Sequence, residues 1–480
     1  MSTRDLTVGP VPRHLLNLAL PVLAATSLQS LYALVGLLWV GLLGQTSVAA
    51  LSIGLQVFFV VLALSQVLGT TALADTSQDW GAGRTERAGR VLSAYLAVGA
   101  VVGAVAAVLA WSLAVPYVTA FTDDPEVVDL GVAYFRTSSV TFFTQLLILV
   151  LISGMRAAGD FTTSVRVSMS TVLLNLVLDP VLMFGGAGWP SDSALSGPGA
   201  AAMAAIGLGS WPGLGIAGAA WATAICQGIG VVWLLSTLVR PGSELRLGRP
   251  LFGPGFARGI LTRGVPAGLQ FLLLSAVLGI ILAAMKPFGA AWTAAAGGGF
   301  RILQQGILPI VATVTATSAI AGQNAGAGRF DRVQKVSAVA LGVLLVYAAV
   351  AGVTLGVFAA PIGRLFAEGD DLQATATYFR WSAPAYLGFA ASMVPTFVMQ
   401  ALKRPLLPMV AAFSRVGLLG IVALGVAPLL GGGPRWVFAA FTAGCWLEGA
   451  LDLALLWRLL RALPQPVTVA DAAVAQHRVP

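Results

Sequence analysis

The sequence predicts an all-α integral membrane protein with twelve transmembrane helices in two six-helix lobes. Hydrophobic residues make up 58% of its 480 residues and charged residues 10%, and the mean hydropathy is +0.88. A soluble domain carries about 25% charged residues, so this chain has too few charges to cover a surface that faces water. Lipid-facing backbone must satisfy its own hydrogen bonds, which favours helices. The twelve apolar segments, each near the ~20 residues that a span requires, cover residues 15–37, 48–73, 91–113, 134–155, 166–185, 214–238, 264–285, 293–318, 336–358, 380–401, 407–429 and 436–458.

Charge and rare residues exclude several classes of protein. The formal net charge is +8, but the basic residues are scattered among the loops, so we expect no nucleic-acid partner. Two cysteines and two histidines cannot build a disulfide framework or a metal cluster. No predicted span contains a histidine, and no loop contains the phosphate cradle G-x-x-x-x-G-K-[ST]. The sequence therefore predicts neither an enzyme nor an ATP-driven pump, and no organic cofactor.

The distribution of Lys and Arg predicts the orientation in the membrane. With the N-terminus in the cytoplasm, 20 of the 27 basic residues fall on the cytoplasmic side and five on the outer side. Arg301 and Arg415 fall inside spans. Cytoplasmic loops of membrane proteins carry the excess of Lys and Arg, so we expect both termini in the cytoplasm.

The two halves of the chain repeat each other. Pro21 recurs as Pro266, and QDWGAGR (78–84) recurs as QNAGAGR (323–329), both after 245 residues. Each half holds six spans, an even number, so both halves have the same orientation in the membrane. Parallel repeats about an axis along the membrane normal are typical of alternating-access transporters.

The repeat also predicts the domain organisation. We expect an N-lobe over residues 1–238, a cytoplasmic linker over 239–263, and a C-lobe over 264–480 that ends in a cytoplasmic tail. After the fifth span the first half carries an insertion on the outer side, around 186–213, which is rich in Gly, Ser and Pro. Two interpretations stay open for this insertion, a surface loop and a short Ala-rich helix over 199–207.

The clearest intramembrane charge is Asp179, in the outer half of the fifth span. Asn175 lies four residues earlier and hence on the same helix face. Pro180 follows and cannot donate a hydrogen bond to the carbonyl one turn back. Carboxylates inside membranes are costly and usually mark ion or proton paths. Asp179 is therefore our leading cation-coupling candidate, and a structural carboxylate that hydrogen-bonds across helices is the alternative.

Several segments resemble one transporter family in order and spacing. They are LALPVLAATSLQSLYALVGLLWVGLLG (18–44), GMRAAGD (154–160), NLVLDPVLMFG (175–185) and GIAGAAWATAICQ (215–227), together with the twin Q-x-x-GAGR ends. This pattern resembles the MATE multidrug exporters, and most closely their DinF-like branch. The resemblance implies a monomer in the cell inner (plasma) membrane, with two lobes around a central cleft. It also implies exchange of protons or sodium ions for small amphipathic, often cationic, drugs.

The resemblance implies further site residues beside Asp179 and Asn175. Tyr134 and Thr223 match cation-coupling positions of the N-lobe. The implied substrate cavity includes Gln29, Ser30 and Pro21, the proline being associated with bending of the first helix. For these residues the alternative is ordinary hydrogen bonding between helices.

Basic residues inside spans bear on a second function within the same superfamily. Arg301 in the eighth span faces the implied cavity, reaches toward the membrane surface, or pairs with an acid in another helix. A flippase for lipids or lipid-linked oligosaccharides would require a strongly basic cleft. The sequence supplies only Arg301 and Arg415 for it, so the flippase is our alternative rather than our first prediction.

The chain departs from the family pattern at the first helix. DinF-like relatives carry an aspartate where LYALVG places Gly36. The acids of the NorM-like pattern are missing too, with Leu274 near the seventh-helix position and no acid in the tenth span. Sodium prefers several oxygen ligands, so a single carboxylate at Asp179 favours coupling to a proton, and sodium at Asp179 is the alternative.

Two more acids lie in the last span. Glu448 and Asp452 are four residues apart and share a helix face. A structural role and a second protonation site both stay open for this pair.

Overall fold

The structure is a computed structural model that describes residues 5–186, 188–189, 196–205, 207, 209–365 and 367–463. Within these residues every element is helical. The predicted cytoplasmic tail from 464 onward and parts of the predicted insertion lie outside the described residues.

The α-helices are α1 (Val11–Leu42), α2 (Gln45–Gly81), α3 (Thr85–Thr119), α4 (Pro125–Ala157), α5 (Phe161–Phe184), α6 (Ser196–Ala205), α7 (Ile216–Val239), α8 (Phe256–Gly259), α9 (Val265–Met285), α10 (Ala290–Gly326), α11 (Phe330–Val357), α12 (Ala359–Gly363), α13 (Gly369–Ser382), α14 (Ala385–Ala401), α15 (Leu406–Gly420), α16 (Ala427–Leu429) and α17 (Pro434–Ala462). π-Helical segments at Ile260–Gly264 and Ile421–Val426 join α8 to α9 and α15 to α16.

Among the described residues, eleven helical segments are long and apolar enough to cross a membrane. A twelfth span is formed by a bent pair, Asp371–Ser382 and Ala385–Ala401, with an angle of 44° at the break. Pro384 occupies that break, and proline cannot donate the helical hydrogen bond to the preceding turn. The predicted fold class, an all-α membrane protein with twelve spans, is confirmed.

The chain divides into two compact units. The first contains Pro21–Leu73 and Thr85–Leu272, and the second contains Arg4–Leu20, Ala74–Arg84 and Leu273–Pro480. The predicted lobe boundaries differ from these units in three places, because the start of α1 and the end of α2 belong to the second unit and the start of α9, up to Leu272, belongs to the first. The residues predicted as a linker, 239–263, pack within the first unit.

Helices α5 and α7 approach each other closely in the first unit because glycine stands at their contacts. A Cβ atom built on Gly218 would lie 2.5 Å from the Leu182 carbonyl oxygen, and one built on Gly230 would lie 3.0 Å from Thr171. Asp160 caps the N-terminus of α5, because its carboxylate accepts a hydrogen bond from the Thr163 amide at 2.9 Å. The two glycines thus allow α5 and α7 to pack closely, and the cap fixes where α5 begins.

A short segment precedes each of the two repeats, the residues around Leu6 before the first and residues 248–251 before the second. We call these two segments the arms. In the second unit the buried Leu6 donates its amide to Gln323 Oε1 at 3.1 Å and accepts from Asn324 Nδ2 at 3.1 Å. In the first unit the Leu251 amide donates to the Arg90 carbonyl at 3.1 Å, and the Gly248 amide donates to Ser93 Oγ at 3.2 Å. Each arm is therefore held by hydrogen bonds within the unit where it packs.

The ends of α2 and α10 cross at a pair of glycines in the second unit. A Cβ atom built on Gly81 would lie 1.9 Å from the Gln323 carbonyl oxygen, and one built on Gly326 would lie 2.0 Å from that of Gln78. These residues belong to the repeated Q-x-x-GAGR segments. Each repeat therefore contributes one glycine to this crossing, and each glycine packs against the backbone of the other helix.

The predicted insertion contributes a helix, α6 (Ser196–Ala205), so the helical interpretation is correct for this part. It also contributes Trp189, whose Nε1 donates to the Gly185 carbonyl at 2.9 Å. Of the two remaining predicted helix positions, 206 lies outside the described residues, and the prediction is wrong at Gly207, which lies in a turn after the end of α6.

Candidate functional site

Asp179 and Asn175 are buried together on one face of α5. Their exposed fractions are 1% and 5%. Pro180 lies inside the helix and leaves the Leu176 carbonyl without its helical donor. The C-terminal half of α5 therefore concentrates hydrogen-bond acceptors in an apolar span.

A hydrogen-bonded group from three helices surrounds these residues. Asn175 Nδ2 donates to the Tyr32 hydroxyl of α1 at 2.8 Å and to Thr223 Oγ1 of α7 at 3.3 Å. The Tyr32 hydroxyl is within hydrogen-bonding reach of the Asp179 carboxyl group. The structure thus brings together three of the predicted cation-coupling residues, Asp179, Asn175 and Thr223, and adds Tyr32. Their coupling role stays a prediction.

Tyr134 approaches the same group from α4. Its ring packs against Gly54 of α2, where a built Cβ atom would lie 2.7 Å from Tyr134 Cε1. Its hydroxyl has Ser138 as a hydrogen-bond neighbour, and Asp179 is close enough to act on it electrostatically. Tyr134 therefore borders Asp179, and its coupling role stays a prediction.

Two buried oxygens in this group have no hydrogen-bond partner. They are Asp179 Oδ1 and Asn175 Oδ1. Buried polar atoms are normally paired, and an unpaired acceptor costs free energy that a donor or a cation would recover. Among the described residues, no cluster of three or more His, Cys, Asp or Glu side chains could hold a metal ion.

Aromatic side chains close the C-terminal end of α5. Phe184 stacks on Trp189 with ring centroids 4.7 Å apart, and Trp39 of α1 meets both rings edge-on at 6.3 and 6.2 Å. Offset-stacked and edge-on pairs are the favoured aromatic geometries. This cluster therefore packs apolar surface beyond Asp179.

Gly36 lies at the level of Asp179. Helices α1 and α5 run in the same direction, since Tyr32 contacts Asn175 and, further along both helices, Trp39 contacts Phe184. Gly36 stands between these contacts on α1. A Cβ atom built there meets nothing within 4 Å, so the missing first-helix acid leaves open space.

The predicted cavity residues lie elsewhere. Gln29 is exposed and Ser30 half-buried on α1, and Pro21 lies inside that helix, at the point where the chain passes from the second unit to the first. Arg301 is exposed on α10 of the second unit. The described contacts of Asp179 and Asn175 come instead from Tyr32, Thr223 and Tyr134. A cavity role for Gln29, Ser30, Pro21 and Arg301 stays a prediction.

Comparisons with known proteins agree with this fold. A family model for MatE matches residues 21–181 and 266–424. The probable multidrug resistance protein NorM of Deinococcus radiodurans is 26% identical over 93% of this chain and 95% of its own length. The probable multidrug resistance protein YoeA of Bacillus subtilis is 25% identical over 81% of each chain. A solved outward-facing MATE family transporter superposes with a TM-score of 0.83 at 19% identity, over 96% of this chain and 99% of that one.

The membrane spans together with the match to the family model identify a multi-pass membrane transporter rather than an enzyme. The two ranges matched by the family model cover well over half of the sequence and fall on the two repeats. The chain belongs to the MatE family. Its placement in the DinF-like branch stays a prediction.

Proposed function

We propose that the chain is a plasma-membrane multidrug exporter driven by proton antiport, with Asp179 as the coupling residue. The observation that carries this proposal is the pair of unpartnered buried oxygens, Asp179 Oδ1 and Asn175 Oδ1. The two similar proteins from Bacillus subtilis and Deinococcus radiodurans are probable multidrug resistance proteins, which supports drugs as substrates.

A proton on Asp179 would remove a buried negative charge and supply a hydrogen-bond donor for a neighbouring unpaired acceptor. The ionised carboxylate has Tyr32 as a hydroxyl donor and no described basic partner, so its charge is buried at a cost. A proton removes that charge and turns one carboxylate oxygen into a donor. Asn175 Oδ1, one turn away on the same face, is an acceptor that lacks a donor.

Competition between proton and drug then gives antiport. A cationic drug near Asp179 is attracted by the ionised carboxylate, and a proton on that carboxylate cancels the attraction. By linkage, a proton that lowers drug affinity must itself be released when the drug binds. A proton gradient directed inward would therefore drive drug outward.

Two alternatives are less well supported. Sodium could use the same two oxygens, but Gly36 supplies no second carboxylate for it. A lipid flippase would require basic side chains that face its anionic substrate. Arg415, one of the two candidates for that role, is buried and ion-paired with Glu448 at 2.8 Å.

Transport in proteoliposomes tests the coupling ion. The protein would be reconstituted with ethidium as a fluorescent aromatic cation, and a proton gradient and a sodium gradient would be imposed separately. We expect ethidium efflux with the proton gradient alone. Efflux that follows only the sodium gradient would overturn proton coupling, and no movement of ethidium under either gradient would overturn the drug-export proposal.

Tyr32→Phe tests the polar group around Asp179. The change removes the acceptor of Asn175 Nδ2 and a donor to Asp179, and a lost buried partner costs ~1–3 kcal/mol. We expect a lower thermal unfolding midpoint and several-fold slower ethidium efflux. Tyr117→Phe is the matched control, because its hydroxyl donates to the Ile53 carbonyl at 3.1 Å outside this group. Equal efflux in the two variants would argue against a role for Tyr32.

Gly36→Asp tests whether the absence of a second carboxylate beside Asp179 is what favours a proton over sodium. The space at Gly36 accepts a side chain, so we expect the variant to fold. A second carboxylate at the level of Asp179 supplies further oxygens for sodium, and ethidium efflux should gain a sodium dependence that the neutral control Gly36→Asn lacks. Unchanged ion dependence in Gly36→Asp would contradict this account.

Cysteine labelling tests the proposed orientation. Both native cysteines are buried, each 1% exposed, so we expect a thiol reagent to label only the introduced cysteines. Glu86→Cys and Asp331→Cys, both at exposed positions, should resist an impermeant thiol reagent in intact cells, while Asp123→Cys should react. The reverse pattern would place the termini outside.

A further inference from the structure

The second unit contains a buried ion pair with a third charged neighbour. Arg415 Nη1 of α15 lies 2.8 Å from Glu448 Oε2 of α17, and the two side chains are 2% and 4% exposed. Asp452 stands one turn further along α17 and is 0% exposed. The three side chains therefore form one buried cluster, which lies outside the Asp179 site.

Asp452 is incompletely satisfied within this cluster. Thr396 Oγ1 of α14 donates to Asp452 Oδ2 at 3.2 Å, while Asp452 Oδ1 has no hydrogen-bond partner. Arg415 Nη1 and Glu448 Oε2 also lack a hydrogen bond of good geometry, but the short ion-pair contact joins them, whereas Asp452 Oδ1 has no ion-pair contact within the described part of the chain. The side chains that act on Asp452 are Thr396, Glu448 and Arg415.

Other packed elements add no further charge at Asp452 among the described residues. On α13 the buried Tyr378 interacts with Cys445 rather than with Asp452. The π-helical segment Ile421–Val426 contains no titratable side chain. The electrostatics of Asp452 are thus set by one guanidinium and one other carboxylate.

The buried cluster contains one basic group, Arg415, and two acids, Glu448 and Asp452. One guanidinium can neutralise one carboxylate, and the short contact assigns Arg415 to Glu448. With both acids ionised, the buried cluster would carry one uncompensated negative charge on Asp452, which is costly away from water. One proton on Asp452 makes the cluster neutral.

We propose that Asp452 is a second proton-binding site, which takes up a proton and releases it during the transport cycle. This inference rests on the proposed proton-driven export. The contact with Arg415 favours the ionised form of Glu448, whereas Asp452 has no such contact and is therefore the acid that we assign as the proton acceptor. A proton on Oδ1 leaves without breaking a hydrogen bond, because that oxygen has no partner, and the bond from Thr396 to Oδ2 remains in both states. The binding step is the addition of a proton to a carboxylate, and no other group reacts.

Infrared spectroscopy of purified full-length protein tests the site directly. The C=O stretching band of carboxylic acids would be followed across a pH titration without drug. We expect Asp452→Asn to remove one component of the pH-dependent band and Asp179→Asn to remove a different one. An identical titration in wild type and Asp452→Asn would overturn the proposal. Asparagine has the shape of the protonated acid and still accepts from Thr396, so the variant should fold, which its thermal unfolding midpoint will verify.

Counting released protons tests the role in transport. Ethidium would be added to weakly buffered purified protein containing a pH-indicator dye. We expect Asp452→Asn to release one proton fewer per ethidium than wild type, and the control Asp331→Asn, an exposed acid in the same unit, to match wild type. A wild-type count in Asp452→Asn, even with a changed unfolding midpoint, would identify a structural role and overturn the second site alone. No proton release in wild type or any variant would overturn the proposed function as well.

Discussion

Asp179→Asn is expected to reduce proton-driven ethidium efflux to the background of empty liposomes. Asparagine has the size of a protonated aspartate but cannot release a proton, so the site stays permanently in the neutral state. Ethidium then meets no ionised carboxylate at Asp179, and the proton gradient has no group on which to act there. Efflux rates in proteoliposomes measure the effect.

The fold should survive this change, because the neutral amide removes a buried charge rather than adding one. The control is Asp123→Asn, at an exposed acid before α4, which should export ethidium as wild type does. Undiminished proton-driven efflux in Asp179→Asn, with normal insertion, would contradict the assignment of Asp179 as the coupling residue.

Gly81→Ala is expected to give the largest loss of stability. The added methyl group would overlap the Gln323 carbonyl oxygen, since the built Cβ atom lies 1.9 Å from it. Backbone must therefore move, and overpacking of this kind costs ~1–3 kcal/mol. We expect a lower thermal unfolding midpoint and loss of ethidium efflux. Gly326→Ala should behave in the same way, because its contact with Gln78 is the repeat-related counterpart.

The control for this crossing is Gly342→Ala on α11, where a built Cβ atom meets nothing within 4 Å. Alanine is favoured over glycine inside a helix by up to ~1 kcal/mol, so this variant should be equally or slightly more stable than wild type. An unfolding midpoint for Gly81→Ala that matches Gly342→Ala would show that the α2–α10 crossing tolerates a side chain.

Much of the site follows from local sequence. Asp179 and Asn175 were identifiable because spacing by four residues fixes a common helix face. The acids Glu448 and Asp452 were paired by the same rule. The identity of the spans followed from composition, and the bend at Pro384 only divides one of them.

Contacts between helices were harder to predict from the sequence. Tyr32 was missed although it lies three residues after Gln29 and four before Gly36, because choosing among these positions requires the rotation of α1 relative to α5. A helix that is apolar on all sides gives little indication of which face packs inward. The pairing of Arg415 with Glu448 depends in the same way on how α15 packs against α17. The repeated glycines were visible as a repeat, but their contact with backbone appeared only in three dimensions.

The two arms bear on how such a chain arose. The arm ahead of the first repeat is held by Gln323 and Asn324 of the second repeat, and the arm ahead of the second repeat is held by Arg90 and Ser93 of the first. In a half-length ancestor with one such arm, the same arrangement would have the arm of one copy held by a second copy. Gene duplication and fusion would then have joined an exchanged homodimer into one polypeptide, and each half would since have been free to diverge while still depending on the other for its first few residues.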